Sequence, residues 1–337
     1  MAQQRIIYLD VIRVLACCMI VLMHSPHPNA GNSGYVLVPL SFVTAAGLCI
    51  FFMISGALLL PVKMSVNEFL RRRIGKIVFP TLFWTLFYLL IAHLIDGVSL
   101  QKVGKAIISI PFSKQGHGVL WFMYTLAGLY LLSPIISPFL QQAKRKEIRF
   151  YLILWGVTLF LPWLRDWVVT DESPQGVLYY FTGYAGYFVL GYYLHTYKPK
   201  IHTLFSLLLI IVPVVALMIY ALSGHKQMLE SGKFWYLSAF VAMMCVGWYS
   251  LVKTNLTSIG RSKFIVSFSN CGFGIYLMHI FIMRYVLWKI DFIVYSFGGI
   301  GQIIITCLLT LAISFILTHL ISYLPFAEYI IGYKYKK

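Results

Sequence analysis

Polar and apolar positions along this chain sort into long apolar runs separated by short polar connections. Runs long enough to cross a bilayer, about 20 residues each, lie near 7–25, 37–60, 76–95, 118–138, 149–165, 176–195, 203–222, 234–252, 264–287 and 297–323. The pattern predicts an all-α polytopic membrane protein with about ten transmembrane helices, and a single integral-membrane domain over 1–337. No connection is long enough for a separate soluble domain. The longest, 96–117, has room for a short interfacial helix. The first run follows a very short polar N-terminus and ends without a small-residue cleavage site, so it reads as a retained span and not as a signal peptide.

The connections alternate in charge. Two are strongly basic, with Lys63, Arg71, Arg72 and Arg73 in one and Lys144, Arg145, Lys146 and Arg149 in the other. Lys198 and Lys200, then Lys253, Arg261 and Lys263, mark two more on the same side, as does the tail Lys334-Tyr-Lys-Lys337. By side, 18 of the 27 Lys and Arg fall with the N-terminus and 8 opposite, with Arg13 inside a span. The positive-inside rule then predicts both termini cytoplasmic. Composition agrees with a membrane protein: 60% hydrophobic and 11% charged, with a mean hydropathy of +0.82. The net charge of +17 is read as this topology signal and not as a nucleic-acid footprint, so no nucleic-acid partner is expected. The six cysteines (17, 18, 49, 245, 271, 307) lie mostly inside apolar runs without metal-ligand or disulfide-framework spacing, and no metal site is expected.

Within the first run, Arg13 and His24 break the apolar pattern. A guanidinium inside a span costs several kcal/mol unless it is paired or faces a polar cavity. Eleven residues apart, the two fall roughly 20° apart around a helix and about 16 Å apart along it. They share a face without direct contact, Arg13 toward the cytoplasmic end and His24 toward the outer end. Asp10, at i, i+3 from Arg13, either neutralises it as an ion pair or takes part in the chemistry. A neutral imidazole such as His24 is an ordinary general base. The spans lack a chain of carboxylates of the kind expected in a proton-coupled transporter.

Three further groups stand out. Phe69-Leu-Arg-Arg-Arg-Ile-Gly-Lys76 concentrates Arg71, Arg72, Arg73 and Lys76 at the mouth of the third run. It reads either as a topology signal that binds anionic membrane lipids or as a polyphosphate clamp. Gly272, Tyr276 and His279 share a face of the ninth run, for close helix packing or for lining a site. Trp121-Phe-Met-Tyr124, after Gly116-His-Gly118, fits an aromatic belt at the membrane surface, or rings that stack on sugars. His93 and His319 stand isolated, with interfacial or packing roles expected.

In order along the chain, these blocks resemble the membrane-bound acyltransferase 3 family, closest to its enterobacterial common antigen O-acetyltransferase type. The pattern Asp-x-x-Arg-x10-His stands as Asp10, Arg13 and His24, and Phe51-Phe-Met-Ile-Ser55-Gly56 is close to the family's Phe-Phe-x-Ser-Gly signature. Arg72, Arg73 and Lys76 look like its basic motif, with Lys76 where Arg is usual; lysine keeps the charge and loses the bidentate fork. Leu120 to Pro134 and Ser269 to His279 also fit. The resemblance implies acyl transfer from cytoplasmic acetyl-CoA, without a metal, to a hydroxyl of a surface glycan or its lipid-linked precursor in a bacterial inner membrane. It implies Arg13 and His24 as the catalytic pair, with Asp10 beside them. Arg71, Arg72, Arg73 and Lys76 are implied at the cofactor, and Ser55, Trp121, Tyr124, Tyr276 and His279 near the site. Transfer of another acyl group such as succinyl, export of a polysaccharide or lipid-linked intermediate, and a homo-oligomer are each compatible with the sequence. Many relatives add an extracytoplasmic hydrolase-like domain; without one here, the expectation is that the membrane part or a partner finishes the transfer.

Overall fold

The structure is a computed structural model that describes residues 5–28, 34–73, 75–109, 120–164, 176–223 and 233–335. Gly116-His-Gly118, and Lys336 and Lys337 of the basic tail, lie outside the described residues. Every regular element among those described is helical, with no strand. In chain order they are α1 Ile7–His24, α2 Gly34–Leu59, α3 Val66–Arg73, α4 Gly75–Leu94, α5 Leu100–Ser109, α6 Trp121–Gln142, α7 Arg145–Thr158, α8 Leu161–Leu164, α9 Ala185–Tyr197, α10 Thr203–Leu222, α11 Ala239–Asn255, α12 Lys263–Phe281, α13 Asp291–Tyr295, α14 Gly298–Ile321 and α15 Ala327–Ile331. Each of the ten apolar runs contains a helix, although 149–165 is divided between α7 and α8 and the run 176–195 becomes α9 only from residue 185. Eight helical stretches among the described residues are long and apolar enough to cross a membrane. The other two runs form α9 and α11, which are only 13 and 17 residues long. Nearly every side chain of α9 from Gly186 to Leu194 is buried, so its apolar character serves the interior of the bundle.

Helix α2 is the axis of the core. It packs on α1 and α9, while α12 covers the other side of α1 and is itself backed by α14. The α2–α9 crossing brings backbones together. A Cβ at Gly56 would collide with the Phe188 carbonyl, and one at Gly191 with the Met53 carbonyl. Small residues at such a crossing let dispersion contacts form where lipid offers no hydrophobic drive for helix association. By contrast α10 turns Leu204, Phe205, Ile211 and Ile219 outward, as a lipid-facing helix must.

Two local features position the site. The basic cluster forms its own short helix: Arg71, Arg72 and Arg73 occupy the last turn of α3, where cations complement the helix dipole, and Lys76 lies in the first turn of α4. After α14, the chain folds back so that α15 packs against α4 and α12, tied by the Trp84 indole donating to the Ile330 carbonyl at 2.9 Å. Gly332, at φ 67°, then turns the chain beside Lys76 and Phe273.

Candidate active site

Arg13 is held by a relay. Its Nη1 donates to Ser269 Oγ at 2.9 Å, and that hydroxyl donates to Asp10 Oδ1 at 2.6 Å. Asp10, 5% exposed at its side chain, lies 3.5 Å from Arg13. Its nearer partner is Arg5, which donates Nε to Oδ2 at 2.6 Å and Nη2 to Oδ1 at 2.8 Å. Arg5 is itself steadied by Asn270 Oδ1 at 3.0 Å. Two guanidiniums therefore share one carboxylate, and a net positive charge is left over. A half-buried cation without full compensation is costly, so an anionic or strongly polar ligand facing Arg13 would be bound with advantage.

A cavity of about 330 Å³ opens in front of Arg13. Ser55, Arg73, Lys76, Tyr130 and Tyr276 join Arg13 in its wall, and among the described residues no carboxylate does. Gly272 keeps the Arg13 side of the wall open, since a Cβ there would stand 3.7 Å from the arginine stem. Tyr130 is set against Ser55, with Arg13 and Arg73 close enough to act on it electrostatically. Tyr333, from the returning C-terminal segment, completes the wall; its phenol pKa is raised by burial. Outside the cavity, a groove of about 450 Å³ is lined by Arg71, Arg72, Arg73 and Lys76 along with Glu328 and Tyr329. Arg73 and Lys76 belong to both spaces. Arg72 is bridged to Glu68 at 2.6 Å, with both side chains largely exposed. A surface pair of this kind contributes about 0.3–0.5 kcal/mol and is readily exchanged for a ligand.

His24 and His279 meet on the far side of Tyr276. Their ring centroids are 5.2 Å apart at an interplanar angle of 61°, and Tyr276 stacks 5.6 Å from His279 while also facing the cavity. Phe122 lies 5.4 Å from Tyr276 on the cavity wall, so the Tyr276 ring that borders His279 is itself backed by an aromatic neighbour. The His24 Nδ1 contacts the Ile20 carbonyl at 2.8 Å. A carbonyl only accepts, so Nδ1 carries the proton and the Nε2 lone pair is free to act as a base. Arg13 and His24 are not in contact, as their separation along α1 requires.

The structure thus gathers Arg13, Ser55, Arg73, Lys76 and Tyr276 at one cavity, with Asp10 behind Arg13 and with His24 and His279 beyond Tyr276. Arg71 and Arg72 sit in the outer groove only. Trp121 and Tyr124 do not line the cavity. Trp121 packs against Tyr184 and Tyr236 at 5.5 and 5.4 Å, and the Tyr236 hydroxyl reaches the sulfur of Met23, next to His24, at 3.5 Å. Tyr124 instead shares a 2.7 Å hydrogen bond with Thr85, tying α6 to α4. Sequence reasoning gave no role to Arg5, Ser269, Tyr130 or Tyr333. A signal existed for Ser269: it precedes Gly272, Tyr276 and His279 at intervals of three, four and three, on one helix face. None existed for Tyr130 or Tyr333. Among the described residues, no group of three or more His, Cys, Asp or Glu gathers to hold a metal.

A family model described as an acyltransferase domain, that of acyltransferase 3, matches residues 6–319. Nothing matches in the comparisons with curated proteins and with solved structures.

Proposed function

As the chain belongs to the acyltransferase 3 family over nearly its whole length, we propose that it moves an acetyl group from cytoplasmic acetyl-CoA to a hydroxyl of a cell-surface glycan or its lipid-linked precursor, in the manner of the enterobacterial common antigen O-acetyltransferase type. The observation that carries this function is the cavity in which Arg13, Arg73 and Lys76 converge with no carboxylate among the described residues of the wall. Three cations around a slot whose other walls mix apolar side chains with neutral hydroxyls and an amide suit a ligand that is a polyanion at one end and a thin, mostly neutral arm at the other. CoA is such a molecule. Its phosphates would take the outer basic groove, where Arg71, Arg72, Arg73 and Lys76 supply charge and, from the arginines, bidentate forks. Its arm would enter the inner cavity. At about 330 Å³ the cavity is at the low end of the roughly 300–1,000 Å³ of small-molecule sites, which favours an arm and a short acyl group over a long acyl chain. The basic groove would face the cytoplasm, where the positive-inside rule puts both termini and where acyl-CoA is made.

Arg13, left with surplus charge by its shared carboxylate and about 16 Å along α1 from His24, would hold polar groups of the donor arm and so set the depth at which the thioester meets His24. His24, with its lone pair on Nε2, would take the proton of the acceptor hydroxyl. The oxygen attacks the thioester carbon, the carbon–sulfur bond breaks, and the proton passes on to the leaving thiolate. The aromatic pair Tyr276 and Phe122 would confine the donor until thioester and acceptor are both in reach, excluding water from the reaction.

The test is purified full-length protein given labelled acetyl-CoA and an extract of envelope glycolipids, with alkali-labile label as the readout. Wild type is expected to transfer label and His24→Ala to lose it. Transfer that survives intact in His24→Ala removes His24 as the base, and label delivered from succinyl-CoA but not from acetyl-CoA reassigns the donor.

A further inference from the structure

His279 is buried to 0% exposure, and like His24 it spends its Nδ1 on a carbonyl of its own helix, that of Tyr276. The proton is therefore on Nδ1, and the lone pair is on Nε2. That Nε2 has no hydrogen-bond partner among the described residues. A fully buried acceptor left empty is rare in a folded protein. Its ring neighbours are His24, at 5.2 Å between centroids, and Tyr276, at 5.6 Å. Two neutral imidazoles that each present a lone pair at Nε2 cannot bond to one another. They can do so as soon as one proton is added.

The backbone around His279 is pinned for this purpose. The Tyr88 hydroxyl donates to the Leu277 carbonyl at 2.9 Å and accepts from the Phe281 amide at 3.2 Å. Those two groups are i, i+4 partners in a regular helix, so Tyr88 of α4 inserts into the ladder of α12 on either side of His279. The chain continues from there as a π-helical turn, Ile282–Val286. Inserted side chains and π-turns of this kind open a helix at a defined point and are frequent at functional sites.

We propose that His279 is the positioning partner of His24, supplying the hydrogen-bond acceptor that a carboxylate supplies in other acid–base pairs. The inference rests on the acyl-transfer function proposed above. When the acceptor O–H breaks and its proton bonds to His24, the imidazolium becomes a cation in an apolar setting. His279, whose ring is adjacent, offers an empty acceptor at Nε2, to which the new N–H turns once the acceptor oxygen has given up its proton and moved to the thioester carbon. As the thioester carbon–sulfur bond breaks and the ester carbon–oxygen bond forms, the proton leaves the pair for the CoA sulfur, and both rings return to the neutral state. No proton is gained or lost over the cycle.

The experiment compares His279→Gln, which keeps a side-chain acceptor of similar reach, with His279→Phe, which fills the volume without one. The full-length protein is assayed with acetyl-CoA and an envelope glycolipid extract, by thiol release and by alkali-labile label, with kcat and the KM for acetyl-CoA measured separately. The expected result is a fall in kcat of about tenfold or more in His279→Phe, bounded above by the 10²–10⁴ of a full acid–base contribution, with KM unchanged and most of kcat restored in His279→Gln. Wild-type kcat in His279→Phe overturns the inference. So does an equal loss in both variants, or a loss confined to KM, either of which marks a packing residue. Should His279→Phe fail to fold, His279→Leu takes its place under the same criteria. Absence of transfer by the wild-type protein overturns the acyl-transfer function itself and is distinguished by that arm alone.

Discussion

Arg13 and Asp10 show how one residue's neighbours decide whether it serves the fold or the chemistry. Because Asp10 is clamped by both donors of Arg5 and by Ser269, its carboxylate is satisfied without Arg13. Arg13→Ala is therefore expected to fold and to bind the donor through Arg73 and Lys76, yet to lose about 10²-fold in kcat, because the donor arm is no longer held in register with His24. Circular dichroism and single-turnover acetyl transfer check the two halves of that statement. Asp10→Asn is expected to behave in the opposite way. It leaves two guanidiniums facing each other and should lower stability by about 2 kcal/mol, between the small value of an exposed pair and the 3–5 kcal/mol of a fully buried one, since Arg5 is 43% exposed at its side chain. A drop in the detergent unfolding temperature, larger than any produced by Arg13→Ala, is the measurement.

At the scale of the helices, Gly56 belongs to the same motif as Ser55 but does different work. Ser55 lines the cavity, whereas Gly56 lets α2 touch the backbone of α9 at Phe188. Gly56→Ala is expected to force the two helices apart and cost about 1–3 kcal/mol, as overpacking does. The effect should appear as a lower unfolding temperature and reduced yield, with the KM for acetyl-CoA little changed in the protein that folds. The helices themselves were legible because apolar run length is set directly by bilayer thickness, and eight of the ten runs correspond to helical stretches of spanning length. The lengths of α9 and α11 were not. A buried interior helix and a lipid-facing one such as α10 are equally apolar, and hydropathy does not record what an apolar face touches. The site was legible in proportion to how costly each residue is in its setting. Arg13 and His24 stand out within an apolar helix. Tyr130 and Tyr333 do not, because tyrosine is ordinary both in a span and at its end, and only the fold-back of α15 brings Tyr333 to the cavity.

For the molecule as a whole, charge asymmetry ties together orientation, donor access and the direction of transfer. The basic groove and the cavity mouth lie at the end of the bundle that carries α3 and the returning C-terminal segment, and the positive-inside rule assigns that end to the cytoplasm. The histidines lie deeper, beyond Tyr276, toward the opposite end of α1. Donor and acceptor would then approach the reaction centre from opposite faces of the membrane. Orientation can be tested independently of activity, because five of the six native cysteines are buried and Cys18 is only partly exposed, which leaves a low labelling background. A cysteine placed at Lys146, exposed in the first turn of α7, should react with a membrane-impermeant maleimide only after cells are opened. One placed at Gln101, exposed on α5, should react in intact cells whose outer barrier has been removed. The opposite pattern would put the basic groove outside the cell, away from acyl-CoA, and would dismantle the donor path. If the orientation holds, Arg73→Ala combined with Lys76→Ala should raise the KM for acetyl-CoA about tenfold or more and reduce its dependence on salt, because those two side chains border both the groove and the cavity and screening acts most on the exposed end of such a path.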